Sequence, residues 1–337
     1  MELRRVQEMG GGTLLVSLPK DWGKRLGVSK GSLLSIEEGR DGCLTLDPYP
    51  KEEKPIQVAV IRYPSMGIEY VEWGLIGAYL LGYDHLHIKA DRTIKSGDRE
   101  RVKQMIHNLI GLEVVEETAS LVKAQCLIDS SLVDPETLVQ RMKVITISML
   151  RDVAPSLVNA DQELADSVTR RDDEVDRIYF LLVRLLRSAV LSPKMAEGFQ
   201  ITPLDVLDYR LVASIVESLA DRAAGIAEET LNTNMLDKGQ RESLSEAFLV
   251  LEEMLEKAMD GFLSDEIKAL KEVRVLYSRL STLLDELTVY LPESSPNLWV
   301  NSTSSYMKDM GRGVIDLADL IPPDQFIRVH DEAVFKA

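Results

Sequence analysis

Two hydrophobic rhythms divide this chain. Up to about residue 130 the apolar positions fall in short runs broken by glycine and proline. From residue 135 they recur every three or four positions over long stretches. In the first 48 residues, strand-like runs at 4–9, 13–18, 32–37 and 43–46 alternate with turn signals. Gly10-Gly11-Gly12 is one turn, and Gly39-Arg40-Asp41-Gly42 is another. Pro19 closes the second run and opens a short helix over 20–26, with Gly27 at its C-terminal cap. A segment this short, with no long helix, buries little core alone and needs a partner surface, most simply a second copy.

Residues 48–55 are proline-rich and polar, which predicts a linker. Beyond it, strand patterns at 56–62, 86–89, 112–117 and 120–128 alternate with helix patterns at 67–81 and 98–110, predicting a small α/β layer. His85 and His87 share one strand face, which is half of a metal site, but no third histidine or cysteine stands near them in sequence. No glycine-rich phosphate loop follows either early strand.

From residue 135 the spacing predicts six helices, at 135–158, 161–193, 203–232, 238–262, 264–291 and 299–320. Short connections make neighbours antiparallel. Pro155 is expected to bend or end the first helix early. Pro322-Pro323 stops the last, and the tail beyond carries Phe326, Val329, Val334 and Phe335. A weak internal repeat pairs Glu174-Val175-Asp176-Arg177 with Glu272-Val273-Arg274-Val275 and Glu217-Ser218-Leu219-Ala220-Asp221 with Lys308-Asp309-Met310-Gly311-Arg312. Two stacked three-helix bundles follow from it. The expected organisation is multidomain α+β: a small β domain over 1–48, an α/β domain over 56–130 and an all-α domain of six helices over 131–337.

Composition narrows the class. With 337 residues the chain is long enough for several domains, and at 45% hydrophobic and 28% charged it is globular. Two unclustered cysteines, Cys43 and Cys126, form no disulfide framework and no metal-ligand spacing, which fits a reducing cytoplasm. No apolar run reaches the roughly 18 residues needed to span a membrane, and the N-terminus lacks the apolar core of a signal peptide, so no membrane insertion is expected. The net charge of −16 is unevenly spread: residues 1–30 carry six Lys or Arg against three acids. A basic end on an acidic body directs any nucleic-acid contact to the N-terminus.

The order Arg4-Arg5, Gly10–Gly12, Val16-Ser17-Leu18-Pro19, Lys24-Arg25-Leu26-Gly27-Val28 and Gly31-Ser32-Leu33-Leu34 resembles the AbrB/SpoVT family. That likeness implies a swapped-hairpin β-barrel shared by two chains. It also implies DNA contact through Arg4, Arg5, Lys20, Lys24 and Arg25, whose charges would neutralise phosphates and release counterions. The chain departs from the family at its tight glycine run, where many members carry a basic or polar residue. The alternative for these five is a solvated surface on a dimerisation or protein-binding module.

In the helical part, Asp172 with Asp176 and Glu217 with Asp221 stand four apart, so each pair faces one side of its helix. Asp172 falls on the apolar stripe of Val168, Val175, Tyr179, Leu182 and Leu186. An acid there wants a cation. Oxygen donors without histidine suit Mg²⁺, Mn²⁺ or Ca²⁺. Alternatively the four acids pair with Arg170, Arg171, Arg210 and Arg222. Asp172-Asp173-Glu174-Val175-Asp176 and Glu217-Ser218-Leu219-Ala220-Asp221-Arg222 resemble the acidic motifs of the PhoU family of phosphate-signalling regulators. The likeness implies that these carboxylates hold metal, in relatives sometimes iron or zinc, at the bundle surface. The corresponding positions of the second repeat are Leu270, Arg274, Lys308 and Arg312. The second bundle is therefore expected to have lost its metal, its basic residues replacing the cation or binding an anion such as phosphate.

No Ser-His-Asp or Cys-His arrangement and no nucleotide fingerprint occurs, so the expectation is a non-enzyme. The leading expectation is a homodimeric DNA-binding transcription regulator tied to phosphate homeostasis. The alternative is an adaptor docking on a phosphate transporter or sensor kinase, with the β module only dimerising.

Overall fold

A computed structural model describes residues 2–38, 42–48, 56–63, 67–129, 133–229, 238–289 and 298–322. Most of the expected turn at 39–42 and of the linker at 48–55, and the tail at 324–337, lie outside these. The chain divides into two compact units, Met1–Ile56 and Gln57–Ala337.

The first unit holds β1 (Gln7–Met9), β2 (Thr13–Leu15), α1 (Lys20–Arg25), β3 (Ser35–Glu38) and β4 (Leu44–Asp47). Gly11 and Gly12, at φ +97° and +86°, turn β1 back on β2, a conformation strained for residues with a Cβ. β3 and β4 form a second antiparallel hairpin, from Ser35↔Asp47 to Glu38↔Leu44. The expected closed barrel is absent among the described residues. One chain supplies two separate two-stranded sheets, and short hairpins cannot close a cylinder alone. The first ladder spans only Gln7↔Leu15 to Met9↔Thr13, shorter than the expected strands, because no further strand pairs with its flanks. No described residue of this unit is buried, and Leu14, Leu33, Ile36 and Leu44 stand in solvent.

The second unit begins with a four-stranded sheet in the order β5 (Val58–Tyr63), β6 (His85–Ala90), β8 (Leu121–Cys126), β7 (Leu112–Glu117). β5 and β6 are parallel because α2 (Ile68–Leu80) crosses between them; the other pairs are antiparallel. α3 (Ser96–Asn108) precedes β7. Period-2 alternation buries Leu86, Ile88, Val122, Ala124 and Leu112 under α2 and α3. It turns Val58, Val60, His85, His87 and Lys123 to the other face.

Two three-helix bundles follow: α4 (Pro135–Asn159), α5 (Gln162–Leu191) and α7 (Pro203–Glu228), then α8 (Lys238–Ser264), α9 (Lys268–Val289) and α10 (Leu298–Ala318). The short α6 (Pro193–Gly198) was not expected; Pro193 at its first turn starts it anew after α5. Side-chain caps begin the first bundle's helices. Asp134 and Asp161 accept from Thr137 and Leu164 N–H, and Thr202 with Asp205 forms a reciprocal capping box. Pro155 does not end α4 early. The helix runs on to Asn159, since Val153, Ala154 and Leu157 around the proline are buried in the bundle. Packing of that last turn outweighs one missing backbone hydrogen bond.

The α/β layer and the bundles join at α5. Phe180 packs against the α/β core. Arg184, only 8% exposed, donates to the carbonyls of Tyr79 at 2.6 Å and Gly82 at 3.3 Å, and its guanidinium lies 5.0 Å over the Tyr79 ring. It thereby caps the end of α2 with a cation.

Candidate metal centre

α5 and α7 pack against each other in the first bundle and set their acidic residues side by side. The buried stripe of Val168, Val175, Leu182 and Leu186 fixes the rotation of α5. That rotation leaves Asp172 and Asp176 half-buried at the seam. On α7, buried Val216, Leu219 and Ala220 do the same for Glu217, while Asp221 reaches the exposed rim. Carboxylate oxygens of Asp176, Glu217 and Asp221 all lie within 4.8 Å of one another. Asp172 Oδ1 is buried beside them with no hydrogen-bond partner.

The electrostatics follow from crowding and burial. Asp172 is pushed up to about 7, first by loss of solvent and then by Asp221, Asp176, Asp173 and Glu217. Glu217 is pushed up to about 7 by burial and by Asp221 and Asp176, against a smaller opposing pull from Arg210 and Arg222. Asp176 rises to about 6 for the same reasons. The expected arginine pairings do not form. Arg171 turns to Ser148, Asp152 and Ser167. Arg222 bonds Ser218 one turn back. Arg210 stacks 5.1 Å over the Tyr179 ring. Among the described residues none of the four acids forms an ion pair.

The donor set fits a hard divalent cation. Oxygens bound at about 2.1–2.4 Å stand at most about twice that apart across the ion, and the oxygens of the triad lie within 4.8 Å of one another. Asp176, Glu217 and Asp221 would hold the ion, with Asp172 as a fourth carboxylate or an acceptor for bound water. A divalent charge there would cancel the repulsion that keeps these groups protonated.

The basic positions of the second bundle are not brought together as one site. Arg274 pairs with Asp319 at 2.7 Å, Lys308 with Asp285 at 2.6 Å and Arg312 with Asp309 at 3.2 Å. Asp285 lies eleven residues beyond Arg274 on α9, about 16 Å along a helix, so Lys308 and Arg274 sit at different levels. Each cation has its own carboxylate, which leaves no shared positive hole for phosphate. In the first unit Arg5, Lys20, Lys24 and Arg25 are exposed, and Arg4 pairs with Glu2. His85 and His87 stand edge to face with ring centroids 6.3 Å apart and no third ligand among the described residues.

Two residues escaped the sequence reading. Thr146, fully buried on α4, has an unpartnered hydroxyl, and Arg177, on α5 next to Asp176, has an unpartnered buried Nε. Only the arginine within an otherwise acidic run was a visible signal.

A helical bundle with a seam of under-neutralised carboxylates is thus the class of module that the first bundle defines. Residues 139–230 match the family model of the PhoU domain, a span that contains all four acids. Among solved structures, PhoU from Pseudomonas aeruginosa is similar at 17% identity, covering 57% of this chain and 96% of that one with a TM-score of 0.40. No curated protein matches the chain. No helix among the described residues is long and apolar enough to cross a membrane.

Proposed function

We propose that this chain is a non-enzymatic regulator of phosphate homeostasis that acts by contact with another protein, a phosphate transporter or sensor kinase. Its first helical bundle carries a divalent metal. The observation behind this reading is the PhoU-domain match over residues 139–230, with the acid cluster of Asp172, Asp176, Glu217 and Asp221 inside it. The bound ion supplies positive charge to the α5–α7 seam. Asp176, Glu217 and Asp221 would hold the ion, with Asp172 as a fourth carboxylate beside them.

Deletion of the gene tests the reading in cells. Labelled phosphate uptake in phosphate-replete cells should then rise and lose its dependence on external phosphate. A Glu217→Gln/Asp221→Asn variant should fail to restore control. Uptake that stays fully regulated in the deletion strain would sink the proposal.

A second reading is a DNA-binding regulator of transcription. It rests on the exposed Arg5, Lys20, Lys24 and Arg25 of the first unit, which stand against an acidic body. Two copies of that unit would read a dyad-symmetric operator.

A further inference from the structure

The two edges of the four-stranded sheet are treated differently. β7 is guarded: Glu113, Glu116 and Glu117 line it, and a bulge between Val114 and Glu116 breaks its ladder. Charges and bulges are how edge strands avoid pairing with another chain. β5 has no bulge, no proline and one charge, Arg62. Among the described residues no strand covers its outer side. Gln57 turns its carbonyl inward, accepting from His85 N–H at 3.0 Å. Alternation along the strand then turns the N–H and C=O of Val58, Val60 and Arg62 outward. Val58 and Val60 are 44% and 54% exposed.

The helix above this edge is equally unfinished. α2, Ile-Glu-Tyr-Val-Glu-Trp-Gly-Leu-Ile-Gly-Ala-Tyr-Leu, is apolar nearly all round, the pattern of a helix covered on every side. Val71, Leu75 and Tyr79 are buried in the α/β core and Gly74 rests on Ile61 of β5. Yet Trp73 is 64% exposed and meets the exposed Tyr70 at a tilt, with ring centroids 5.1 Å apart. One turn beyond Trp73, the space beside Gly77 is open.

We infer that the outer edge of β5 and the exposed face of α2 form an isologous interface between two copies of this chain. The copies pair β5 antiparallel to β5 about Val60, so that the outward groups of Val58, Val60 and Arg62 bond those of Arg62, Val60 and Val58. The sheet becomes eight-stranded. Neighbouring strands lie about 4.8 Å apart, and α2 lies over β5 and β6. The two α2 helices then run antiparallel at about 10 Å, a packing distance. Trp73 of each copy meets the gap at Gly77 of the other, large against small, as a two-fold interface requires. A second copy is the occupant because all three features are self-complementary: an edge that pairs antiparallel with itself, a knob and its hole on one helix, and an interhelical distance set by the strand spacing.

The test uses the full chain and two readouts. Light scattering after size exclusion should show association number halved by Trp73→Glu and by Val60→Pro. The proline removes an outward N–H and no bond within the chain, and circular dichroism checks that both variants fold. In a Cys43→Ser/Cys126→Ala background, Val60→Cys should be joined chain to chain by a short bis-maleimide. An unchanged mass in both variants together with no cross-link at position 60 would overturn the proposal, association through the first unit alone included.

Discussion

Asp172 shows how one residue's surroundings set its chemistry. Its carboxyl is half-buried, is crowded by four other acids and has one oxygen without a donor, so it holds its proton to about pH 7. Its folded pKa is therefore above its unfolded value near 3.8. The folded state binds the extra proton between those values, so this group's contribution to stability is full below about pH 4 and is lost as pH rises through about 7. Glu217 and Asp176 act in the same direction. In chelator at pH 8, Asp172→Asn should raise stability by about 1 kcal/mol, a figure discounted for partial exposure. The gain should vanish at pH 4. Millimolar Mn²⁺ should raise the melting temperature of the wild type but not of Glu217→Gln/Asp221→Asn. Thermal melts at both pH values check each point, and a wild type indifferent to metal would remove the ion from the centre.

At the scale of elements, α5 is the organising piece. One face of it lines the core of the first bundle, one seam carries the acids, and its C-terminal half holds the α/β layer through Phe180 and Arg184. Arg184 is the sole charged side chain buried among the described residues, and both of its acceptors are carbonyls at the end of α2. Arg184→Met should keep the packing of the stem but take the charged donor from both carbonyls, that of Tyr79 keeping only Gly82 N–H, costing about 1–3 kcal/mol. Hydrogen exchange should then speed up in α2 and β6 more than in α9. Equal acceleration in both would mean that the contact is not a local clamp.

The long helices were readable in sequence, since a 3.6-residue apolar rhythm over 20 or more positions has one explanation. Boundaries moved by a few residues where the backbone turns: α9 begins at Lys268 rather than 264, because α8 runs on to Ser264 and Asp265 takes a φ of +54°. The acid pairs were legible because i and i+4 share a face. Their convergence across two helices was not, since it depends on how α5 and α7 are staggered. In the second bundle Arg274 and Lys308 find Asp319 and Asp285 separately, and Arg312 pairs with Asp309 within α10.

Over the whole molecule, charge is segregated. Residues 1–30 carry six Lys or Arg against three acids, the first unit as a whole is balanced at nine against nine, and the net charge of −16 falls on the second. If DNA is a ligand, it meets the first unit alone and is repelled by the rest, so its affinity should fall steeply with salt. A Lys20→Ala/Lys24→Ala/Arg25→Ala variant should lose binding to fragments of the cognate genome while keeping its association state, as read by electrophoretic shift and light scattering. No shift for the intact chain, with or without phosphate and Mn²⁺, would leave protein contact as its mode of action.

The sequence by itself determined the order and type of every described element except the short α6, the two helical repeats, the basic N-terminus and the identity of the four carboxylates. These are local properties, written in side-chain period, turn residues and composition. Tertiary structure alone decided that the arginines beside the acids bond elsewhere, that Asp172 has an oxygen with no donor, and that Arg184 ties the α/β layer to the bundle. It alone left β5 an open edge beneath an exposed tryptophan. Each of those depends on residues far apart in the chain arriving at one place, and burial there sets both their charge and the partners they lack.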